Sequence, residues 1–245
     1  MKLLRVFFLL TVVFIPGLFA EAAFDEANKL YETGKYAEAA AAYNNLLNSG
    51  NKSAEVYYNL GNAYFKEKKT GLAILNYEKA LKLSPRDADI KYNLECAGSF
   101  IKESAVEDTV TKLLNSFYYY LTLNELCVML ALAFFALMGL LIYRLFRKDE
   151  LSYWFTFSFS VIFGLIFVFS VLRIFENENT RSAIVIEPSV EARAAPLETN
   201  PASFTIPEGK KVLILNSRKD WVEIFLKSEN MKGWIKQDAI AEIMP

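Results

Sequence analysis

The sequence predicts a multidomain membrane protein: an all-α helical repeat, two transmembrane helices and a small all-β barrel, in that order. Three observations carry this. Self-comparison of residues 24–98 gives an offset of 34, a period typical of stacked helix pairs. Residues 126–143 and 151–172 contain no Asp, Glu, Lys or Arg. As helices these two runs reach roughly 27–33 Å, which matches a hydrocarbon core of about 30 Å. Beyond residue 182, short β-branched and aromatic runs alternate with Pro, Gly and Asn, the punctuation of a small barrel.

Composition narrows the chemistry before any motif is read. A chain that is 53% hydrophobic and 22% charged is too apolar for an ordinary soluble protein. Its net charge is 27 − 28 = −1, so no basic field recommends nucleic acid as a partner. Histidine is absent, which removes imidazole-based triads and His-ligated metals. Cys96 and Cys127 are two unrelated thiols, and no glycine-rich phosphate loop is present. No catalytic residue, cofactor or metal site is expected.

At the N-terminus, Lys2 and Arg5 precede the apolar run Val6 to Ile15, and Pro16-Gly17 breaks it before the small residues Ala20 to Ala23. This reads as a secretory signal over residues 1–22, with an uncleaved signal anchor as the alternative. Either way the following segment is delivered outside the cytoplasm.

Residues 23–100 form the repeat domain. Asn28 matches Asn62, Ala39 matches Ala73, Tyr43 matches Tyr77, and Tyr58-Asn59-Leu60 matches Tyr92-Asn93-Leu94. Tyr57, Leu60, Gly61, Tyr64, Ala73, Tyr77, Ala80 and Pro85 resemble the tetratricopeptide pattern at all eight signature positions. A third copy has only its first helix, Ala88 to Phe100, and is expected to cap the array. The resemblance implies a protein-binding groove lined by Asn28, Tyr31, Tyr58, Asn59, Asn62, Tyr92 and Asn93. Amides and phenols there could bond an extended peptide without demanding a charge. The alternative is that the asparagines bridge adjacent helices.

A helical connector over 101–120 leads to the first span, 121–146. The link 147–150 is tight, and Arg144, Arg147 and Lys148 mark it as cytoplasmic under the positive-inside rule. The second span, 151–175, carries Thr156, Ser160 and Gly164 four apart, a stripe able to seat a helix. It is expected to pack near Ala133, Ala136 and Gly139, with a heteromeric membrane contact as the alternative. Both outer domains then share the periplasmic side of the inner membrane.

After a polar linker over 176–181, runs at 183–186, 190–193, 211–215, 221–225 and 233–235 read as strands, separated by turns that include Pro207-Glu-Gly209 and Asn216-Ser217. Residues 182–245 resemble bacterial SH3-like domains. Trp221 and Trp234 either line a ligand groove or fill the core.

The order of these parts resembles BatE proteins of the bacterial aerotolerance operon over the full length. That resemblance implies a non-enzymatic inner-membrane scaffold. Its partners would be Bat proteins with von Willebrand A domains and, indirectly, a MoxR-type ATPase. The competing expectation is an envelope sensor whose SH3-like domain binds peptidoglycan.

Overall fold

The computed structural model describes residues 21–101, 109–147 and 149–243; most of the expected export signal, residues 1–20, and Lys148 of the basic link lie outside this set. The chain forms two compact units. One combines the helical repeats with the C-terminal sheet, and the other holds two long apolar helices.

The repeats run as α1 (residues 21–32), α2 (Tyr36–Asn48), α3 (Ala54–Lys66), α4 (Thr70–Leu83) and α5 (Ala88–Gly98). The helix starts are capped where the sequence offers an acceptor. Ser53 Oγ accepts from the Val56 N–H and Asp87 from the amides of Asp89 and Ile90, which satisfies donors that a first turn leaves open. The turn inside each helix pair uses one left-handed residue. Gly34 supplies it at φ 79°, and one period later Lys68 adopts φ 63°. In both turns the next amide bonds back five residues, Lys35 to the Leu30 carbonyl and Lys69 to the Tyr64 carbonyl. A lysine in this conformation carries strain of about 1–2 kcal/mol.

Small residues set the spacing between helices. Ala27, Ala39, Ala63, Ala73 and Ala80 are fully buried beside Tyr43, Leu60 and Tyr77. A Cβ at Gly61 would lie 2.6 Å from the Tyr77 ring, so α3 and α4 approach only because it is absent.

The C-terminal region forms a seven-stranded sheet ordered β3-β2-β6-β5-β4-β1-β7. Its strands are β1 (Arg181–Val185), β2 (Ser189–Arg193), β3 (Ala202–Pro207), β4 (Lys211–Arg218), β5 (Trp221–Leu226), β6 (Met231–Lys236) and β7 (Ile240–Glu242). Three features depart from the sequence reading. β3 was hidden between Pro201 and Pro207, which bound an ordinary alternating run. Asn216-Ser217 is not a turn but continues β4, which absorbs the polar pair through a register shift between Ile214 and Asn216; the chain reverses at Lys219, φ 54°. The ladder is open, because the three-residue β7 pairs with β1 while β3, at the far end, pairs with β2. The closed barrel is therefore replaced by a sheet wrapped around one core of Val190, Ala192, Val212, Val222, Ile224 and Ile235.

β1 is buried on both faces. Ala183 and Val185 enter the sheet's core, while Ile184 points the other way into a cluster with Ala73, Ile74, Leu75, Tyr77, Ala97 and Ile243. The helical array and the sheet thus share an apolar core across more than a hundred residues of sequence. Polar contacts surround it. The Lys82 ammonium donates to the Ile243 carbonyl at 2.9 Å, and Lys211 pairs with Glu78 at 2.8 Å. α4 has no side-chain cap of its own at Lys69. Instead Glu208, in the β3–β4 turn, accepts the Gly71 N–H at 2.6 Å. A Cβ on residue 71 would meet the Val185 carbonyl at 2.6 Å. α5 follows the second pair, and Leu94 and Ala97 on it present a further apolar side that β1 and β7 cover.

The second unit contains α6 (Thr109–Tyr118), α7 (Leu123–Phe146) and α8 (Glu150–Asn179). Thr122 and Glu125 form a capping box at α7, and Asp149 caps α8 through the Ser152 amide. α8 runs on to Asn179, so most of the expected polar linker is helix. Both α7 and α8 are long and apolar enough to cross a membrane. Along α7 the less exposed positions are Leu126, Leu130, Ala133, Leu137 and Leu140, a 4-3-4-3 spacing that makes a two-helix seam. On α8 the buried positions include Ser152, Thr156, Ser170 and Arg173, and Phe163 meets Phe134 of α7 with ring centroids 6.4 Å apart. Thr156 belongs to the seam face as expected, but Ala136 and Gly139, three and six residues beyond Ala133 on α7, are exposed.

Candidate partner-binding surfaces

The asparagines singled out by the repeat period are brought together between the first helices of each pair. Asn28 Oδ1 on α1 accepts from Tyr43 Oη at 2.6 Å and from Asn59 Nδ2 at 3.1 Å. One period on, Asn62 Oδ1 on α3 accepts from Tyr77 Oη at 2.7 Å and from Asn93 Nδ2 at 2.9 Å. Asn93 Nδ2 also reaches Tyr58 Oη at 2.9 Å. Each amide oxygen therefore ties together three helices. The four asparagines do bridge helices, and they remain only half-buried.

The bridging leaves the amide nitrogens of Asn28 and Asn62 without a protein partner among the described residues. They are the donors a bound carbonyl could use. The tyrosines that hold their oxygens were not among the predicted site residues. The signal was present: Tyr43 and Tyr77 each stand 15 residues after their asparagine. Burial pushes the Tyr43 phenol up to about 12, against a lowering hydrogen bond from Asn59, and pushes Tyr77 up as well. Both stay protonated donors at any physiological pH.

Aromatic rings repeat with the same period. Phe24 packs on Tyr43 and Tyr58 on Tyr77, each pair with centroids 6.0 Å apart. Tyr31 sits edge-on to Tyr36 at 5.3 Å, and burial raises its phenol above the ordinary range. Tyr92 occupies the third step and is 67% exposed. Cys96 stands where Asn28 and Asn62 stand in the earlier copies.

Trp221 and Trp234 are both half-buried on the outer face of the sheet. Strand alternation explains this, because their neighbours Val222, Ile224 and Ile235 point into the core. Trp221 lines a cleft of about 360 Å³ with Glu187, Ser189, Arg193, Glu198 and Lys236. Lys236 lies 4.8 Å from the Trp221 ring centroid and pairs with Glu198 at 2.7 Å. That pairing lowers the Glu198 carboxyl and raises the Lys236 ammonium. Trp234 stands opposite Arg193 on β2 and Glu223 on β5. Among the described residues no group of three or more Cys, Asp or Glu side chains is placed to hold a metal ion.

The tetratricopeptide repeat family matches residues 54–87, and a TPR repeat description matches residues 27–68. No curated protein matches the chain. The helices over residues 27–87 are thus tetratricopeptide repeats, a repeat type that points to protein–protein interaction.

Proposed function

We propose that the protein is a non-enzymatic, membrane-anchored scaffold whose repeats hold an extended segment of a partner protein outside the cytoplasm. The observation that carries this reading is the amide ladder. Asn28 and Asn62 are locked by their oxygens into one orientation, and each keeps a nitrogen in hand, so the surface is organised before a ligand arrives and loses little side-chain entropy on binding. Spacing by one repeat suits the backbone of an extended chain. The shared core of repeats and sheet supports a common side for both: two segments that flank a spanning hairpin can share a core only if they leave the membrane on the same face. The basic residues Arg144 and Arg147 at the hairpin tip favour the cytoplasm for the tip. In this reading the partners are the membrane proteins with von Willebrand A domains that the BatE resemblance implies, with a MoxR-type ATPase reached through them.

A second reading, an envelope sensor that binds peptidoglycan, is favoured by one feature: the cleft beside Trp221 sets an aromatic face among paired acidic and basic groups, a chemistry suited to a zwitterionic stem peptide. Affinity capture from detergent-solubilised membranes, with Tyr92→Ala as the variant, tests the first reading. Tyr92 is exposed, so the substitution should leave melting unchanged while recovery of von Willebrand A proteins falls. Unchanged recovery overturns the role of this face. Sedimentation with purified cell wall, abolished by Trp221→Ala, would support the sensor instead.

A further inference from the structure

We infer that α6 is a membrane-surface helix: it lies in the lipid headgroup layer on the outer side and turns its apolar face into the bilayer. This inference rests on α7 and α8 being the membrane spans. α6 has ten residues, Thr109–Tyr118, and a turn at 119–121 separates it from α7. A lone helix of that length is marginal in water and needs a covered face to persist. Yet Val110, Leu113 and Leu114, which share one face at i, i+3 and i+4, are 61%, 70% and 63% exposed. Burying such side chains is worth about 1.5–3 kcal/mol each, so something must cover them.

Two observations select lipid. The first is continuity: α6 joins the outer end of α7 directly, beside Tyr119 and Tyr120, which are half-exposed at the level where aromatic rings prefer the interface. The only charged residue in the sequence of α6 is Lys112, so little charge opposes a position at the interface. The second is a clamp that fixes this end of α6 to the hairpin. Arg173, nine-tenths buried, places its guanidinium 4.9 Å from the Tyr118 ring and 4.5 Å from the Tyr119 ring. Its Nη2 donates to the Leu121 carbonyl at 3.4 Å, Tyr118 also stacks edge-on against Phe169 at 5.3 Å, and the Tyr119 hydroxyl bonds Glu176. The helix is therefore held at the rim of the spans, where its apolar face meets acyl chains.

The test uses the full chain, with Cys96 and Cys127 replaced by Ser, reconstituted in phosphatidylethanolamine–phosphatidylglycerol vesicles. Nitroxide labels are attached singly through Leu113→Cys, Asn115→Cys and Leu132→Cys, the last on the exposed mid-span face of α7. Collisions with oxygen and with a water-soluble nickel complex are compared. The expected result is an oxygen preference at Leu113 that approaches that at Leu132, with the preference lost or reversed at Asn115. A nickel preference at Leu113 while Leu132 stays lipid-facing overturns the inference and leaves the spans intact. Exclusion of both reagents at Leu113 also overturns it, and points to a protein or a second copy as the cover. Loss of the oxygen preference at Leu132 itself brings down the spanning reading and the surface helix with it.

Discussion

Two joints hold the first unit together, and they are built on different principles. Between successive repeats the apolar packing carries a polar contact that is periodic: Asn28 with Tyr43 and Asn59, then Asn62 with Tyr77 and Asn93, the same three-way contact copied after 34 residues. Between the array and the sheet the joint is apolar and occurs once, with Ile184 and Ile243 set against Ile74, Leu75 and Ala97 and Glu208 capping α4. A periodic joint can be extended indefinitely, because every copy presents the same acceptor to the next. A single apolar joint ends the series. The sheet does here what a terminal capping helix does in a longer array, and it does so with a strand that must satisfy two cores at once.

The comparison is broken most severely at the apolar joint. Ile184→Ala deletes a fully buried side chain and should cost about 2–5 kcal/mol. Hydrogen exchange followed by mass spectrometry should show the loss in β1, β7, α4 and α5 together, with α1 and α2 little changed. Loss confined to the sheet would show that the array closes without it.

A smaller effect is expected from the polar joint. Asn62→Ala strands the buried Tyr77 hydroxyl, and an unmet donor of this kind costs about 1–3 kcal/mol. The melting temperature should fall, and exchange should rise across α3, α4 and α5. Alkali reaches the same type of contact at Tyr43. Its folded value is raised above the ordinary 10.0 to about 12, so its contribution is complete below pH 10 and is lost as pH climbs toward 12. Melting temperature followed over that range should decline less steeply in Tyr43→Phe.

The smallest effect concerns the cap between domains. Glu208→Ala removes the acceptor for the Gly71 amide, a loss of about 0.5–2 kcal/mol by analogy with helix caps, whereas Glu208→Gln keeps an oxygen in place and should lose less. Equal melting temperatures for the two variants would mean that the 2.6 Å contact contributes nothing as a cap.

Much of this was legible in the chain itself. The offset of 34 residues announced the helix pairs, Gly61 and the buried alanines announced their close approach, and the uncharged runs at 126–143 and 151–172 announced the hairpin. Each of these signals is local or periodic, so composition and spacing alone are enough to carry it. The asparagines are equally visible in the sequence, but their partners are not, because a Tyr 15 residues away on another helix has no reason to be read as the owner of that amide until the helices are stacked. β3 was lost between two prolines, and the Asn216-Ser217 pair suggested a turn where the strand instead absorbed an irregular register.

The docking of the sheet on the repeats was decided by tertiary structure alone. Its trace in the sequence is slight: the run Ala183 to Ile186 is apolar without alternation, as expected for a strand covered on both faces, but nothing in that run says what lies on its second face. Ile184 and Ala97 are separated by the whole of the apolar hairpin α7–α8, and Glu208 and Gly71 by 137 residues. Sequence determines which surfaces must be buried. Which distant surface buries them depends on complementarity of shape and on matching an orphan amide to a carboxylate, and those exist only once both domains have folded.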